Sequence, residues 1–199
     1  NWNGHASVGA LGHRWLYPAL ADHGYADTAL GTFFAKGHPG FYYLFDELNG
    51  TTLWERKGAF DPSNMDEPVR SLSHPFQGGY DAWFYMGLGG VRPSLEQPGF
   101  KKILLRPSFP KRLDWIKVEY DSEYGPIGSR WKRVKKRVGW EIEIPPNTSG
   151  LLQLNRDEIA AVAINGKTIP PSQLFKGKKA DLSAYPLASG KWRVELGLK

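Results

Sequence analysis

Glu55 closes the segment Gly50-Thr51-Thr52-Leu53-Trp54-Glu55, and His74 stands nineteen positions later in Ser73-His74-Pro75-Phe76. A carboxylate activates water, an indole covers the apolar face of a sugar ring, and an imidazole exchanges hydrogen bonds with hydroxyls. The three residue types together equip a pocket that holds a sugar ring and works on it. Taken singly they also have plainer readings. Glu55 reads as well as a surface or capping carboxylate, and His74 before a proline as a helix-start residue with a buried ring.

Other chemistries find little support. His5, His13, His23 and His38 do not stand at metal-ligand spacing with acidic partners, so neither metal nor cofactor is expected. No phosphate-cradling glycine loop and no Gly-x-Ser-x-Gly nucleophile turn is present. Asp61, Asp66 and Glu67 read as a solvated acidic loop. Asp46 and Glu47 lie near a pocket only if that loop folds back. Asp81 and Trp83 read as helix-orienting and core residues.

The elements that must position these residues change character near Arg92–Phe100. Before it the periodicity is helical. Val8, Leu11, Trp15, Leu16, Ala19 and Leu20 predict a helix over His5 to His23. Pro18 either kinks that helix or marks a boundary inside it, and Gly24 stops it. Ala26, Ala29, Leu30, Phe33 and Phe34 predict a second helix over Tyr25 to Lys36. Further helices are predicted over Phe41 to Leu48 and Phe76 to Leu88, separated by a long polar loop from Asn49 to His74. After Pro98 the pattern is that of strands: Lys102–Leu105, Trp115–Tyr120, Gly128–Val134, Trp140–Ile144, Leu151–Leu154, Ala160–Ile164 and Trp192–Leu196. Turns at Gly125-Pro126, Pro145-Pro146-Asn147, Asn165-Gly166 and Pro170-Pro171 space them as in an antiparallel sandwich. The expectation is an α+β chain in two parts, residues 1–97 helical and 98–199 a β-sandwich. Three or four striped helices need a partner surface, as at the end of a larger helical domain.

The chain has 199 residues, of which 41% are hydrophobic and 14% aromatic, enough to bury a core. Its net charge of +6 gathers between Lys101 and Arg137, above all in Arg130-Trp131-Lys132-Arg133-Val134-Lys135-Lys136-Arg137. Between two strand-like segments this run reads as a hairpin whose charges face water, rather than as a nucleic-acid site. There is no cysteine, hence no disulfide, and no apolar stretch of membrane-spanning length. Asn1-Trp2-Asn3-Gly4-His5 reads as the interior of a longer protein, which leaves the compartment undecided; a periplasmic or secreted location would fit.

In order along the chain, several motifs resemble one family. They are Gly12-His13-Arg14-Trp15-Leu16-Tyr17-Pro18-Ala19-Leu20-Ala21-Asp22; Thr51-Thr52-Leu53-Trp54-Glu55; Ser73-His74-Pro75-Phe76 with Gly79 and Asp81-Ala82-Trp83-Phe84-Tyr85; Gly90-Val91-Arg92-Pro93 through Pro98-Gly99-Phe100-Lys101-Lys102-Ile103; and Ser122-Glu123-Tyr124-Gly125, Trp131 and Ile144-Pro145-Pro146-Asn147-Thr148. Up to about Leu154 the chain resembles the C-terminal portion of an α-L-rhamnosidase of glycoside hydrolase family 78. The resemblance implies the last helices of an (α/α)6 barrel followed by an antiparallel β-sandwich. It implies cleavage of terminal α-L-rhamnose with inversion, Glu55 as general base, His74 on rhamnose hydroxyls, and Trp54 orienting Glu55 or packing beneath the loop. The general acid would lie upstream of Asn1, so the missing N-terminal part is an expected partner, and the chain alone is expected to be almost inactive. Arg56-Lys57 stands where many members carry a second tryptophan, which puts the type of rhamnoside in question. Two other roles stay open for the sandwich. One is a carbohydrate-binding module with Trp131, Trp140 or Trp192 as stacking platforms, and the other is a brace for the barrel.

Overall fold

The first apolar stripe folds into helix α1, Ala10–Asp22, which continues through Pro18. It begins later than the periodicity suggests, because Gly9 is extended and caps it. Its end is the glycine stop expected at Gly24. With φ at +83°, Gly24 donates its N–H to Ala21 C=O, and Tyr25 donates to Leu20 C=O at 2.7 Å. This paired closure satisfies carbonyls that the helix itself leaves open. Helix α2, Ala26–Phe33, follows directly and packs on α1. The computed structural model describes residues 4–6, 8–55, 71–175 and 182–199, grouped in two compact units, 1–83 and 84–199.

The core of the first unit is aromatic. Tyr17 stacks on Trp83 with centroids 5.3 Å apart, Phe33 on Phe41 at 5.2 Å, and Phe41 meets Tyr80 at 4.5 Å. Trp83 is fully buried, the core role expected for it. Burial pushes the Tyr17 and Tyr80 phenols up, so both stay neutral.

The expected helix from Phe76 to Leu88 is not uniform. It is a 3₁₀ turn over Pro75–Tyr80, one α-helical turn, α3, over Asp81–Trp83, and a π-helical turn over Phe84–Leu88. Glycine explains the first departure. A Cβ on Gly79 would stand 3.0 Å from Arg14 Cβ, so the 3₁₀ turn lies close against α1, where a side chain would push its neighbour aside. The segment predicted helical from Phe41 is a helical turn that widens into a π turn over Tyr43–Glu47. Here Glu47 Oε1 accepts the Gly37 N–H at 2.9 Å, and Asp46 hydrogen-bonds the Tyr42 side chain.

The second unit holds β1 (Val91–Pro93), β2 (Lys102–Leu105), β3 (Trp115–Ser122), β4 (Gly125–Val134), β5 (Arg137–Ile144), β6 (Ser149–Leu152), β7 (Ile159–Ile164), β8 (Lys167–Thr168), β9 (Tyr185–Leu187) and β10 (Gly190–Leu198), with a helical turn, α4, at Pro171–Leu174. They form a four-stranded sheet in the order β1-β2-β6-β9 and a six-stranded sheet in the order β3-β4-β5-β10-β7-β8. Pairing is antiparallel except between β2 and β6. Apolar residues of both sheets, including Ile103, Leu105, Leu152, Ile127, Trp140 and Val194, share one core. Residues 84–97 cluster with this unit rather than with the helices, since β1 pairs with β2.

Two tryptophans in that core correct a sequence expectation. Trp131 and Trp140 sit opposite each other on β4 and β5 and are 2% and 0% exposed, so neither can stack on a sugar. Their indole N–H groups are satisfied inside: Trp131 Nε1 donates to Leu88 C=O at 2.8 Å, and Trp140 Nε1 to Ser129 Oγ at 2.9 Å. Ser129 Oγ in turn donates to Gly89 C=O at 2.6 Å. Trp192 packs against the core and gives its N–H to Ala188 C=O at 2.9 Å. The basic run is the expected hairpin. It turns at Lys135, whose φ is +55°, and Lys132, Lys135, Lys136 and Arg137 face water.

Two predictions follow from this packing. Gly90 has φ +74°, and a Cβ there would stand 2.2 Å from Pro107 N and 2.6 Å from Arg106 C. Gly90→Ala therefore meets both backbone strain and backbone clash, and is expected to cost at least about 2 kcal/mol in urea unfolding followed by tryptophan fluorescence. On α1, Leu11 and Trp15 lie one turn apart and are 70% and 69% exposed. Such a face draws apolar partners. This chain by itself is expected to self-associate in analytical ultracentrifugation at about 100 μM, and Leu11→Lys with Trp15→Glu to weaken association at least about tenfold. A monomer before substitution would contradict it.

Candidate active site

The described part of the site is a clip of two extended segments. Leu53-Trp54-Glu55 runs beside Ser71-Leu72-Ser73-His74, held by Glu55 N–H to Ser71 C=O at 2.9 Å and His74 N–H to Leu53 C=O at 2.6 Å. Thr52 Oγ1 adds a hydrogen bond to Leu72 C=O. Glu55 and His74, separated in sequence, thus lie on one short ladder, with Trp54 between its two rungs. All three are partly exposed.

Local chemistry explains why the second segment stops where it does. Ser71 Oγ donates to Ser73 C=O at 2.8 Å and accepts the Ser73 N–H at 3.2 Å, bending the chain before His74. Pro75 then opens the 3₁₀ turn, since its missing N–H costs nothing at a first helical position. The His74 ring rests near Phe76, with centroids 5.8 Å apart.

Glu55 is held at several points. Besides its main-chain N–H, its carboxylate Oε2 accepts the Ser71 N–H at 3.3 Å, and its carbonyl accepts from Gln77 Nε2 at 2.9 Å. Gln77 is 5% exposed. Sequence reasoning missed Ser71 and Gln77. The one signal for Gln77 was a polar residue three and seven positions before Tyr80 and Phe84, where a helical stripe would be apolar.

The remaining acidic candidates bond elsewhere or lie outside the described residues. Glu47 accepts the Gly37 N–H and Asp46 bonds the Tyr42 side chain, as above. Arg56, Lys57, Asp61, Asp66 and Glu67 lie outside the described residues. Among the described residues no group of three or more His, Cys, Asp or Glu side chains forms a metal cage, and no helix is long and apolar enough to cross a membrane. In the second unit a groove of about 380 Å³ opens at β4, β5 and β10, lined among others by Arg130, Glu143, Lys191 and Trp192. Two of its charges form cross-strand pairs, Arg130 with Glu119 and Lys191 with Glu143 at 3.7 Å, and the guanidinium holds the Glu119 carboxyl below its ordinary range.

The family models for the bacterial α-L-rhamnosidase six-hairpin glycosidase domain and for the bacterial α-L-rhamnosidase C-terminal domain match residues 1–88 and 90–168 in turn. The chain belongs to the α-L-rhamnosidase family. An α-L-rhamnosidase from Formosa agariphila is 33% identical over 192 residues, covering 96% of this chain and 20% of that protein. The chain thus spans about a fifth of the length of such relatives. In structure it is similar to the α-L-rhamnosidase from Dictyoglumus thermophilum, with TM-score 0.83 and 24% identity over 98% of this chain and 21% of that one. It is also similar to the Streptomyces avermitilis α-L-rhamnosidase complexed with L-rhamnose, with TM-score 0.79 and 24% identity over 96% and 18% of the two chains. The architecture is therefore the end of a six-hairpin domain followed by the family's C-terminal β-sandwich.

Proposed function

We propose that the chain supplies the general base of an inverting α-L-rhamnosidase, with Glu55 in that role. The observation that carries the proposal is the clip: the one tryptophan-flanked carboxylate of the motif is pinned by its backbone beside His74, within a rhamnosidase family chain. Glu55 takes the proton of a water that attacks the anomeric carbon of a terminal α-L-rhamnosyl group. The glycosidic oxygen leaves with a proton from a second carboxylic acid on the opposite side, which the rest of the barrel supplies. In an inverting pair the two carboxyl groups stand roughly 6.5–9.5 Å apart, leaving room for the water. His74 hydrogen-bonds rhamnose hydroxyls, and Trp54 braces the segment that carries Glu55. The substrate class is a rhamnose-terminated glycoside or polysaccharide, and the partner is the remainder of the same barrel.

Two expected outcomes test this. In the full-length protein, Glu55→Gln lowers kcat on an aryl α-L-rhamnoside at least about a hundredfold while KM changes little, because only the transition state uses the base. Near-normal turnover would remove Glu55 from the role. Assayed side by side, the full-length protein hydrolyses the substrate, and this chain alone is slower by at least about 10²–10⁴-fold, the ordinary worth of a general acid. Comparable activity in the chain would place a second catalytic carboxylate among its own 199 residues.

A further inference from the structure

Gln77 is the residue that touches both halves of the clip. Its main-chain N–H donates to His74 C=O at 3.0 Å, and its side-chain Nε2 reaches back 22 positions to the Glu55 C=O at 2.9 Å. A carbonyl only accepts, so the amide nitrogen must face it. The side chain is 5% exposed, and its Oε1 has no hydrogen-bond partner among the described residues. A buried glutamine that leaves one of its polar atoms unmatched is costly, and an apolar residue of that size would fill the space with less penalty. The bond it does make lies on the peptide unit that follows the Glu55 side chain. Main-chain bonds from Glu55 N–H and to Leu53 C=O fix the clip on one side of that side chain, and Gln77 fixes the other. A small displacement of a reacting group costs rate out of proportion to stability.

We propose that Gln77 is a positioning residue whose side-chain amide, by donating to the Glu55 carbonyl, holds the Glu55 carboxylate at its working place relative to His74. The assignment rests on the reading of Glu55 as the base, and the test separates the two. Gln77→Met keeps the volume and removes the donor. Gln77→Glu removes it when ionised and restores it when protonated, because a carboxylic acid O–H donates where a carboxylate only accepts.

The experiment compares full-length wild type, Gln77→Met and Gln77→Glu on an aryl α-L-rhamnoside across pH, with hydrogen exchange of the Glu55 and His74 amides read on the same proteins. Gln77→Met is expected to lose at least about tenfold in kcat with KM within about threefold, the signature of misplacement rather than lost binding. The kcat of Gln77→Glu relative to wild type is expected to rise at least about fivefold from about pH 7.5 to about pH 5, while the Gln77→Met ratio stays flat. The two amides are expected to exchange at least about tenfold faster in Gln77→Met, with the amides of β4 and β5 unchanged. Wild-type kcat and exchange in Gln77→Met would overturn the proposal, and so would a lowered kcat with a pH-flat Gln77→Glu ratio, which would make Gln77 a space-filler. If wild type hydrolyses no rhamnoside, the reading of Glu55 fails, and the exchange rates alone decide on Gln77: faster supports it, unchanged overturns it.

Discussion

Two main-chain hydrogen bonds, from Glu55 N–H to Ser71 C=O and from His74 N–H to Leu53 C=O, turn two distant stretches of sequence into one surface. Each is worth only about 0.5–1.5 kcal/mol in stability. Their effect on geometry is larger, because they set the register in which the carboxylate and the imidazole are presented. The rest of the first unit supports this register. α1 gives the 3₁₀ turn of Pro75–Tyr80 a surface to lie on, Gly79 lets it approach, and the stack of Tyr17 on Trp83 anchors the turn's far end. Packing energy held in the aromatic core is thereby spent on fixing a polar loop.

The second unit solves a different problem with similar means. Its six-stranded sheet buries two large indoles whose N–H groups would be costly if unmatched. Trp131 gives its donor directly to the Leu88 carbonyl, and Trp140 gives its own to Ser129 Oγ, which donates in turn to the Gly89 carbonyl. The segment leaving the π turn is thus hydrogen-bonded to the sheet's inner face. That segment has to be glycine, since a Cβ at Gly89 would press 2.4 Å from Val118 Cγ2, and Gly90 needs its positive φ. The outward face of the sheet carries charged side chains instead, among them the Arg130–Glu119 and Lys191–Glu143 pairs.

Regular elements were legible where side-chain alternation or helical spacing is local. The strands at β4 and β5, the hairpin at Lys135 and the helix stop at Gly24 follow from neighbouring residues alone. Features that depend on partners far along the chain were not legible. β1 and β9 are three residues long and exist only through pairing, and the parallel contact of β2 with β6 has no local signature. Trp131 and Trp140 looked like sugar platforms because an amphipathic ring suits either place. The acceptors that keep Trp131 inside lie 43 positions away. At the site, Trp54, Glu55 and His74 carry a recognisable motif, whereas Gln77 acts across 22 positions and left only a polar interruption in an apolar stripe.

In its proposed role Glu55 acts on water and not on the leaving group. Turnover of the full-length Glu55→Gln protein on two α-L-rhamnosides, one with an acidic dinitrophenolate leaving group and one with an alkoxide, tests it most directly. A leaving group that departs without a proton relieves the loss of a general acid but not the loss of a base. The account predicts that both substrates slow by a similar factor relative to wild type. Near-normal turnover of the dinitrophenyl substrate alone would make Glu55 the acid and contradict the account.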